Sequence, residues 1–233
     1  MDQRRAAVFG ASGGIGAALA DALEADGCEV WRGSRGGGGL RGFAFDLTDE
    51  DSIAAAVARI GGELDLVLVA SGVLHDAARG VAPEKSWRQI DPAAMARAFA
   101  VNAIGPALVA KHVLPLLPKG RRGVFAALSA RVGSIGDNRL GGWHSYRASK
   151  AALNMLVRNL AIECARSRPQ AVVVALHPGT VATGLSAPFQ RGVPAERLFT
   201  PAVAAGALLG VVARLTPADS GGLFAWDGQA IPW

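Results

Sequence analysis

The sequence predicts an α/β protein with a doubly wound, mostly parallel sheet of seven strands. Short apolar segments alternate with longer amphipathic segments, which is the pattern of repeated βα units. Two apolar segments, 64–70 and 171–176, are almost continuously apolar, as expected for parallel strands that helices cover on both faces. No linker, repeat or second apolar core interrupts the 233 residues, so residues 1–233 are predicted to form a single domain.

The predicted elements follow from this periodicity in chain order. The strands are the short apolar segments 6–9, 29–32, 42–45, 64–70, 123–128, 171–176 and 222–226. The helices are the longer segments with apolar residues every three or four positions, 15–25, 49–60, 92–114, 145–166 and 201–215. In a sheet of this kind the ligand site lies at the carboxyl ends of the strands.

Composition excludes several classes of protein. With 51% hydrophobic and 18% charged residues the chain can bury a large core, which excludes global disorder. The net charge of +5 comes with scattered arginines and no basic stripe interleaved with aromatic residues, so no nucleic-acid partner is expected. Cys28 and Cys164 lie in apolar elements without a metal-ligand spacing, so we interpret them as buried thiols and expect no metal site.

A cytoplasmic protein without a membrane partner is expected. Residues 1–5 lead directly into the first predicted strand, without the apolar region and cleavage site of a signal peptide. The longest strongly apolar, uncharged run is 198–213, which has 16 residues and contains Pro201. That run is short for a membrane span and is predicted to be a core helix.

A glycine-rich turn follows the first predicted strand and precedes an alanine-rich helix. Gly10, Gly14 and Gly16 keep a 1-5-7 spacing. Such a turn lets backbone N–H groups and the N-terminus of the helix approach a pyrophosphate closely. Its position between a strand and a helix predicts a dinucleotide site on a Rossmann-type domain.

Tyr146 and Lys150 form the second informative motif. They are four residues apart at the start of a predicted helix, so the phenol and the ammonium group lie on one face. A free tyrosine has a pKa of about 10, and a cation beside it lowers that pKa. Tyr146 is also the only tyrosine in the chain. We therefore expect Lys150 to lower the pKa of Tyr146 and to make the phenol usable for proton transfer.

With these motifs in this order, the chain resembles the short-chain dehydrogenase/reductase family almost from end to end. The residues that carry the resemblance are Gly10-x3-Gly14-Ile15-Gly16, Asp46-Leu47-Thr48-Asp49, Ala70-Ser71-Gly72, Asn102, Ser129, Tyr146-x3-Lys150 and His177-Pro178-Gly179-Thr180. Segments 129–135, 141–143 and 226–233 further resemble its carbonyl-reductase branch, which includes C-factor-like and Sniffer-like proteins. The resemblance implies that Tyr146 donates a proton, that Lys150 also binds the nicotinamide ribose, and that Asn102 holds a water in the proton relay.

NADPH is predicted in preference to NADH. The end of the second predicted strand has no carboxylate for a ribose hydroxyl, but it carries Arg32, Ser34 and Arg35, and a guanidinium group suits a 2′-phosphate. Arg35 with Ser34 beside it is the preferred contact, and ordinary surface charges are the alternative for both arginines.

Further cofactor contacts are implied by the family resemblance. They are Ser12, Gly13, Ile15, Asp46, Leu47, Ala70, Ser71, Gly72, Pro178, Gly179, Thr180, Val181 and Thr183. Of these, Asp46 is assigned to the adenine, while Thr48 or Asp49 is expected to cap the following helix. His177 is expected to have a structural role.

The serine that should polarise the substrate carbonyl departs from the family pattern. The family usually ends the fifth strand with Ser-Ser, of which the second is catalytic, whereas this chain has Ser129-Ala130. Successive residues of a strand face opposite ways, so Ser129 is on the wrong face unless the strand twists or bulges. Ser134 on the following loop is the alternative, and we prefer Ser129.

The resulting hypothesis is NADPH-dependent reduction of a small carbonyl compound, an aldehyde or ketone, to an alcohol. We expect an apolar or aromatic substrate, a mobile loop at about 183–200 that closes over it, and a lining formed by Trp143, Phe189 and Trp233. One alternative is an NADP(H)-binding regulatory or signalling protein with little turnover. An epimerase or dehydratase is less favoured, because few residues follow Pro178 for a larger substrate region. Many family members pair through the helices corresponding to 92–114 and 145–166, so a homodimer or homotetramer stays open.

Overall fold

The structure is a computed structural model and describes residues 3–233. Two of the residues that bear on the signal-peptide prediction, Met1 and Asp2, lie outside the described residues. One seven-stranded sheet and the helices on its two faces form the fold, which confirms the predicted fold class.

The strands lie close to their predicted positions. The nine strands are β1 (Arg5–Phe9), β2 (Glu29–Ser34), β3 (Gly42–Ala44), β4 (Leu66–Val69), β5 (Gly123–Leu128), β6 (Ala171–His177), β7 (Thr180–Val181), β8 (Leu198–Phe199) and β9 (Leu223–Ala225). The large sheet is wholly parallel, in the order β3-β2-β1-β4-β5-β6-β9, and β7 and β8 form a separate two-stranded sheet that we did not predict. The strand order reverses beside β1, so the carboxyl ends of β1 and β4 flank the crevice in which such folds bind ligands.

Six α-helices cover the large sheet. They are α1 (Gly14–Ala25), α2 (Glu50–Ile60), α3 (Pro92–Phe99), α4 (Gly105–Val113), α5 (His144–Ala165) and α6 (Pro201–Arg214). The single helix predicted at 92–114 is divided, because a π-helical turn at Ala100–Ile104 separates α3 from α4. The continuous helical segment Pro92–Leu116 is long and apolar enough for a membrane span, a test that core helices also pass. Here it packs against α2 and α5.

The core consists of two apolar layers, one on each face of the sheet. Side chains of β5 and β6 alternate between them, as Phe125 and Val173 face α2, α4 and α5 whereas Val124 and Val172 face α1 and α6. This two-sided burial explains why these strands are continuously apolar in the sequence. The surface expected for subunit pairing carries exposed apolar side chains on α5, and pairing itself stays a prediction.

Candidate active site

A cavity of about 580 Å³ opens at the carboxyl ends of the central strands. Its lining brings together the glycine turn, the end of β2, the loops after β3 and β4, and the first turns of α5. The predicted site residues on its wall are Gly10, Ser12, Gly13, Gly14, Ile15, Ser34, Arg35, Asp46, Leu47, Ala70, Ser71, Gly72, Ser129, Tyr146, Lys150, Pro178 and Thr183. Segments separated by more than a hundred residues therefore meet at one site.

The glycines of the turn are required by space and by backbone angle. Gly10 has φ +97°, and a Cβ there would collide with Ser71 Oγ. A Cβ on Gly16 would overlap Gly10 O and lie 2.8 Å from Gly10 C, so Gly16 lets the helix pack directly on the turn without lining the cavity. Gly13 caps α1 without a side-chain hydrogen bond, and the first turn of α1 carries no acidic residue. The N-terminus of α1 thus presents backbone N–H groups to an anion in the cavity.

Of the two arginines predicted for cofactor binding, the structure brings only Arg35 to the cavity. Arg32 does not line the cavity, because its guanidinium group pairs with Asp21 at 2.6 Å and with Glu24 at 2.7 Å on α1. The structure therefore does not support Arg32 as a cofactor contact, and its assignment stays a prediction. The carboxylates that hold Arg32 lie one helix turn apart on α1, which the sequence of β2 alone does not reveal.

Asp46 lies on the cavity wall as predicted, next to the start of α2. Its Oδ1 accepts hydrogen bonds from Thr48 N at 2.8 Å and from Thr48 Oγ1 at 2.7 Å. These bonds, together with the nearby charges of Arg97 and Arg35, lower the pKa of Asp46 and keep it ionised. Asp49, as expected, caps α2 by accepting from Asp51 N and Ser52 N, so the two aspartates have separate roles.

Tyr146 and Lys150 line the cavity together in the first two turns of α5. Lys150 Nζ donates to Leu128 O at 2.8 Å and lies 5.9 Å from the centroid of the tyrosine ring. The pKa of Tyr146 is raised by burial to about 12, and burial lowers the pKa of Lys150 to about 8. The shift is thus opposite in direction to the lowering expected from Lys150, and its cause is burial of the phenol. At neutral pH Tyr146 carries its proton and Lys150 is mostly charged.

Asn102 is fully buried in the π-helical turn and does not line the cavity. Its side chain accepts from Val73 N at 2.8 Å, donates to Val73 O at 2.8 Å, and donates to Ser149 Oγ at 3.1 Å. A Cβ on Gly72 would lie 3.3 Å from Asn102 Oδ1 and 3.6 Å from Lys150 Nζ. Asn102 thus fastens the loop after β4 to α5 beside the lysine, which explains a polar residue within an apolar helix.

Ser129 lines the cavity and Ser134 does not. Ser129 Oγ donates to Asn154 Oδ1 on α5 at 2.7 Å, so its side chain faces that helix. Ser134 lies in the loop that follows β5, where its hydroxyl donates to Pro232 O and accepts from Asp137 N. The structure therefore favours Ser129 of the two serines, although its hydroxyl has to turn from Asn154 before it can donate to a substrate.

The loop after β6 contributes fewer cavity residues than predicted. Pro178 and Thr183 lie on the wall, whereas Gly179, Thr180 and Val181 do not. Thr180 and Val181 form β7, and Gly179 has φ +78° beneath the ring of Phe199, which leaves no room for a Cβ. These three residues support the loop rather than line the cavity.

A group of aromatic rings lies beside Tyr146, outside the cavity lining. Trp143 lies 6.3 Å from Tyr146 and 5.2 Å from Phe189 between ring centroids, and His75 lies 5.8 Å from Phe189. His75 Nε2 is also 3.1 Å from Gly184 O, so the loop after β4 contacts the predicted substrate loop. None of the three residues predicted to line the substrate site, Trp143, Phe189 and Trp233, is on the cavity wall, and the carbonyl of Trp233 accepts from Gly136 N at 2.7 Å.

Several cavity residues were not predicted. They are Phe45, Val73, Asp76, Arg79, Arg97, Val101 and Leu128, whereas Gly184 and Leu185 belong to the predicted loop at about 183–200. Arg97 and Val101 are four residues apart and share a face of the helical segment, a signal that the sequence did contain. His177 is not on the wall; burial lowers its pKa to about 4, and its Nδ1 has no hydrogen-bond partner among residues 3–233.

The stability of the protein should depend on the titration of Lys150. Its pKa in the folded state is about 8, below the ordinary value of 10.5, so the unfolded chain binds more protons between these values. The free energy of unfolding should therefore rise from pH 8 to pH 10, by roughly 1.4 kcal/mol for each unit of pKa difference that is titrated. Urea unfolding of the wild type and of Lys150→Met over this range tests this. The rise should be smaller in the variant, and parallel curves would contradict the assignment.

Comparison with known proteins identifies the class. Residues 4–193 match the family model described as short chain dehydrogenase, and the chain belongs to that family. It is an oxidoreductase. The dehydrogenase of 1-hydroxy-2-glutathionyl-2-methyl-3-butene from Rhodococcus sp. (strain AD45) is 36% identical over 193 residues, which are 81% of this chain and 78% of the relative. C-signal of Myxococcus xanthus is 40% identical over 145 residues, 62% of this chain and 81% of the relative.

Solved structures agree with this assignment. The NADPH-bound carbonyl reductase from chicken fatty liver has a TM-score of 0.84 and 26% identity, covering 100% of this chain and 95% of that chain. The carbonyl reductase Sniffer of D. melanogaster has a TM-score of 0.83 and 20% identity over 100% of both chains, a likeness in fold. The predicted family and its carbonyl-reductase branch are confirmed.

Proposed function

We propose that this oxidoreductase reduces an apolar or aromatic aldehyde or ketone to an alcohol with NADPH. The observation that carries the proposal is the meeting of Tyr146 and Lys150 with the glycine turn on one cavity wall. A proton donor that is protonated at neutral pH suits the reductive direction, because reduction adds a proton to the carbonyl oxygen.

The residues present fit a nicotinamide dinucleotide. The bare backbone of Gly10 and Gly72 and the N-terminus of α1 form a cradle that leaves space for a pyrophosphate and a ribose. Arg35 and Ser34 at the end of β2 would hold the 2′-phosphate, and Asp46 would accept from the adenine amino group. Lys150 would bind the nicotinamide ribose through its ammonium group.

When bound, the cofactor supplies hydride to the carbonyl carbon. Tyr146 holds the substrate oxygen and donates its proton as negative charge develops there. The ammonium group of Lys150 stabilises the phenolate that is left. Ser129 turns from Asn154 to donate to the same oxygen. Asn102 holds the loop at Gly72 in place beside Lys150.

The aromatic group indicates the kind of substrate. Trp143 packs edge-on against the ring of Tyr146 and also contacts Phe189, and Leu185 adds an apolar side chain on the cavity wall. A flat apolar carbonyl compound held at Tyr146 would bury surface against these apolar groups.

The experiment that tests the proposal is NADPH oxidation across a panel of aldehydes, ketones and quinones. Aromatic aldehydes and ketones should be reduced with the highest kcat/KM and short polar ones with the lowest. Tight NADPH binding without turnover of any carbonyl compound would instead favour a regulatory or signalling role. That alternative has one supporting observation, the 40% identity to a relative named C-signal.

Cofactor preference should depend on Arg35 and not on Arg32. Arg35→Ala removes a charge-assisted contact of roughly 1.5–3 kcal/mol, so the KM for NADPH should rise about 10–100-fold, since 1.4 kcal/mol corresponds to a factor of ten. The KM for NADH should hardly change. Arg32→Ala is the matched control, because its guanidinium group is committed to α1. Equal losses for NADPH and NADH in Arg35→Ala would refute the assignment.

A further inference from the structure

The helix that carries Tyr146 and Lys150 begins without a cap of its own. Trp143 occupies the N-cap position of α5, where it makes no side-chain hydrogen bond to the helix, and the first turn of α5 contains no acidic residue. The first N–H groups of an α-helix need an acceptor, and the positive end of the helix dipole favours a negative charge. Another part of the chain must therefore supply both.

Glu84 supplies both from a loop 61 positions earlier in the chain. Its two carboxylate oxygens each accept from Ser145 N at 3.2 Å, and Oε1 also accepts from the hydroxyl of Ser145. The backbone carbonyl of Glu84 accepts from Trp143 N at 2.5 Å. Side chain and backbone of Glu84 thus hold Ser145 and Trp143, two of the three positions that precede Tyr146.

Glu84 has no cationic partner to explain its burial. Only 5% of its surface is exposed, and within residues 3–233 no lysine, arginine or histidine forms an ion pair with it. A buried carboxylate is costly unless its oxygens are hydrogen-bonded and its charge is balanced. The first turn of α5 is the group that provides both.

The backbone beside Glu84 is strained in a way that needs support. Trp143 has φ +51°, and Gly141 and Gly142 before it have φ +62° and φ +64°. A tryptophan in the left-handed region persists only where its surroundings hold it. The hydrogen bond from Trp143 N to Glu84 O is the contact that does so, and it also fixes the ring that faces Phe189.

We propose that Glu84 is a positioning residue, which caps α5 from outside the helix and so sets the location of the Tyr146 phenol at the cavity and of the Trp143 ring beside it. The proposal rests on the proposed reductase function for its kinetic consequence. A displacement of the reacting group by about 1 Å can cost a factor of about 100 in rate, and Tyr146 directly follows the residue that Glu84 binds.

Two measurements on Glu84→Ala, Glu84→Gln and the wild type test the proposal. The first is kcat with saturating NADPH, which should fall about 10–100-fold in Glu84→Ala. In Glu84→Gln, which keeps an acceptor oxygen, kcat should stay close to the wild-type value. NADPH affinity should be unchanged, because Glu84 is not on the cavity wall. Thr216→Ala, which removes the N-cap hydroxyl of the short 3-10 helix Pro217–Asp219, is the control and should lower only the melting temperature.

The second measurement does not require turnover. Tyr146 is the only tyrosine, so ultraviolet absorbance after rapid pH jumps reports its ionisation directly. Its pKa should fall from about 12 in the wild type toward the ordinary value of about 10 in Glu84→Ala, because water reaches a loosened first turn. This shift would support the proposal even if the reductase function failed.

Unchanged kcat and unchanged tyrosine titration in Glu84→Ala, with only a lower melting temperature, would overturn the proposal. If Glu84→Ala does not fold, Ser145→Ala decides, since it removes the hydroxyl donor and keeps the backbone N–H. That variant should show a smaller loss of kcat and a smaller shift in the tyrosine pKa, and wild-type values for both would overturn the proposal.

Discussion

Tyr146→Phe should lower kcat for carbonyl reduction by about 100- to 10,000-fold, which is the range typical of a positioned general acid. The phenylalanine ring fills the same space on the cavity wall, so NADPH should bind with nearly the wild-type affinity. The proton that the alkoxide needs would then have to come from water. Steady-state rates with the best substrate of the panel, together with fluorescence titration of NADPH, measure both effects.

Two outcomes of this experiment would contradict the assignment. If Tyr146→Phe keeps more than a tenth of the wild-type kcat, another group donates the proton. If NADPH affinity falls together with kcat, the loss reflects a damaged site rather than a missing proton. Ser134→Ala is the control for a nonspecific effect of a substitution near the site, because Ser134 lies outside the cavity and donates to Pro232 O.

Gly16→Ala should weaken both the fold and the binding of NADPH. The new Cβ would overlap Gly10 O and lie 3.3 Å from Ala11 Cα, and these are backbone atoms that cannot rotate away. Overpacking of this kind costs roughly 1–3 kcal/mol, and each kcal/mol lowers the melting temperature by about 2–4 °C in a chain of this size. Because the turn must shift, NADPH affinity should fall by at least about tenfold. Calorimetry and NADPH titration test the two effects.

Gly206→Ala is the matched control for Gly16→Ala. Gly206 lies inside α6, and a Cβ there has nothing within 4 Å. Alanine is favoured over glycine in a helix interior by up to about 1 kcal/mol, so this variant should melt slightly higher and bind NADPH normally. Wild-type melting and affinity in Gly16→Ala would show that the close approach of α1 to the turn is dispensable.

Most of the fold could be predicted because its signals are local. The alternation of apolar strands and amphipathic helices places all seven strands of the large sheet within two residues of the structure at both ends. The β7–β8 pair was missed because two-residue strands have no periodicity to recognise. The π-helical turn was missed because apolar periodicity does not reveal it, and its Asn102 makes hydrogen bonds to Val73, a residue 29 positions away.

The candidate site was predicted less completely, since the direction in which a side chain points and the extent of its burial are properties of the folded chain. Both Arg32 and Arg35 were candidates in the sequence, with Arg35 preferred, and the ion pairs of Arg32 with α1 could not be seen there. The Tyr146–Lys150 spacing is visible, but the desolvation that raises the tyrosine pKa is not. Glu84 carries no local signal at all, because its partners lie at the start of another element.

The sheet also separates the two thiols of the chain. Cys28 belongs to the layer that faces α1 and α6, and Cys164 to the layer that faces α2, α4 and α5. Both are buried, and burial raises the pKa of the Cys164 thiol, so neither should react with an alkylating reagent until its own layer opens. Pulse alkylation during denaturation, followed by mass spectrometry, would therefore report the rate at which each apolar layer opens from the labelling of its own cysteine.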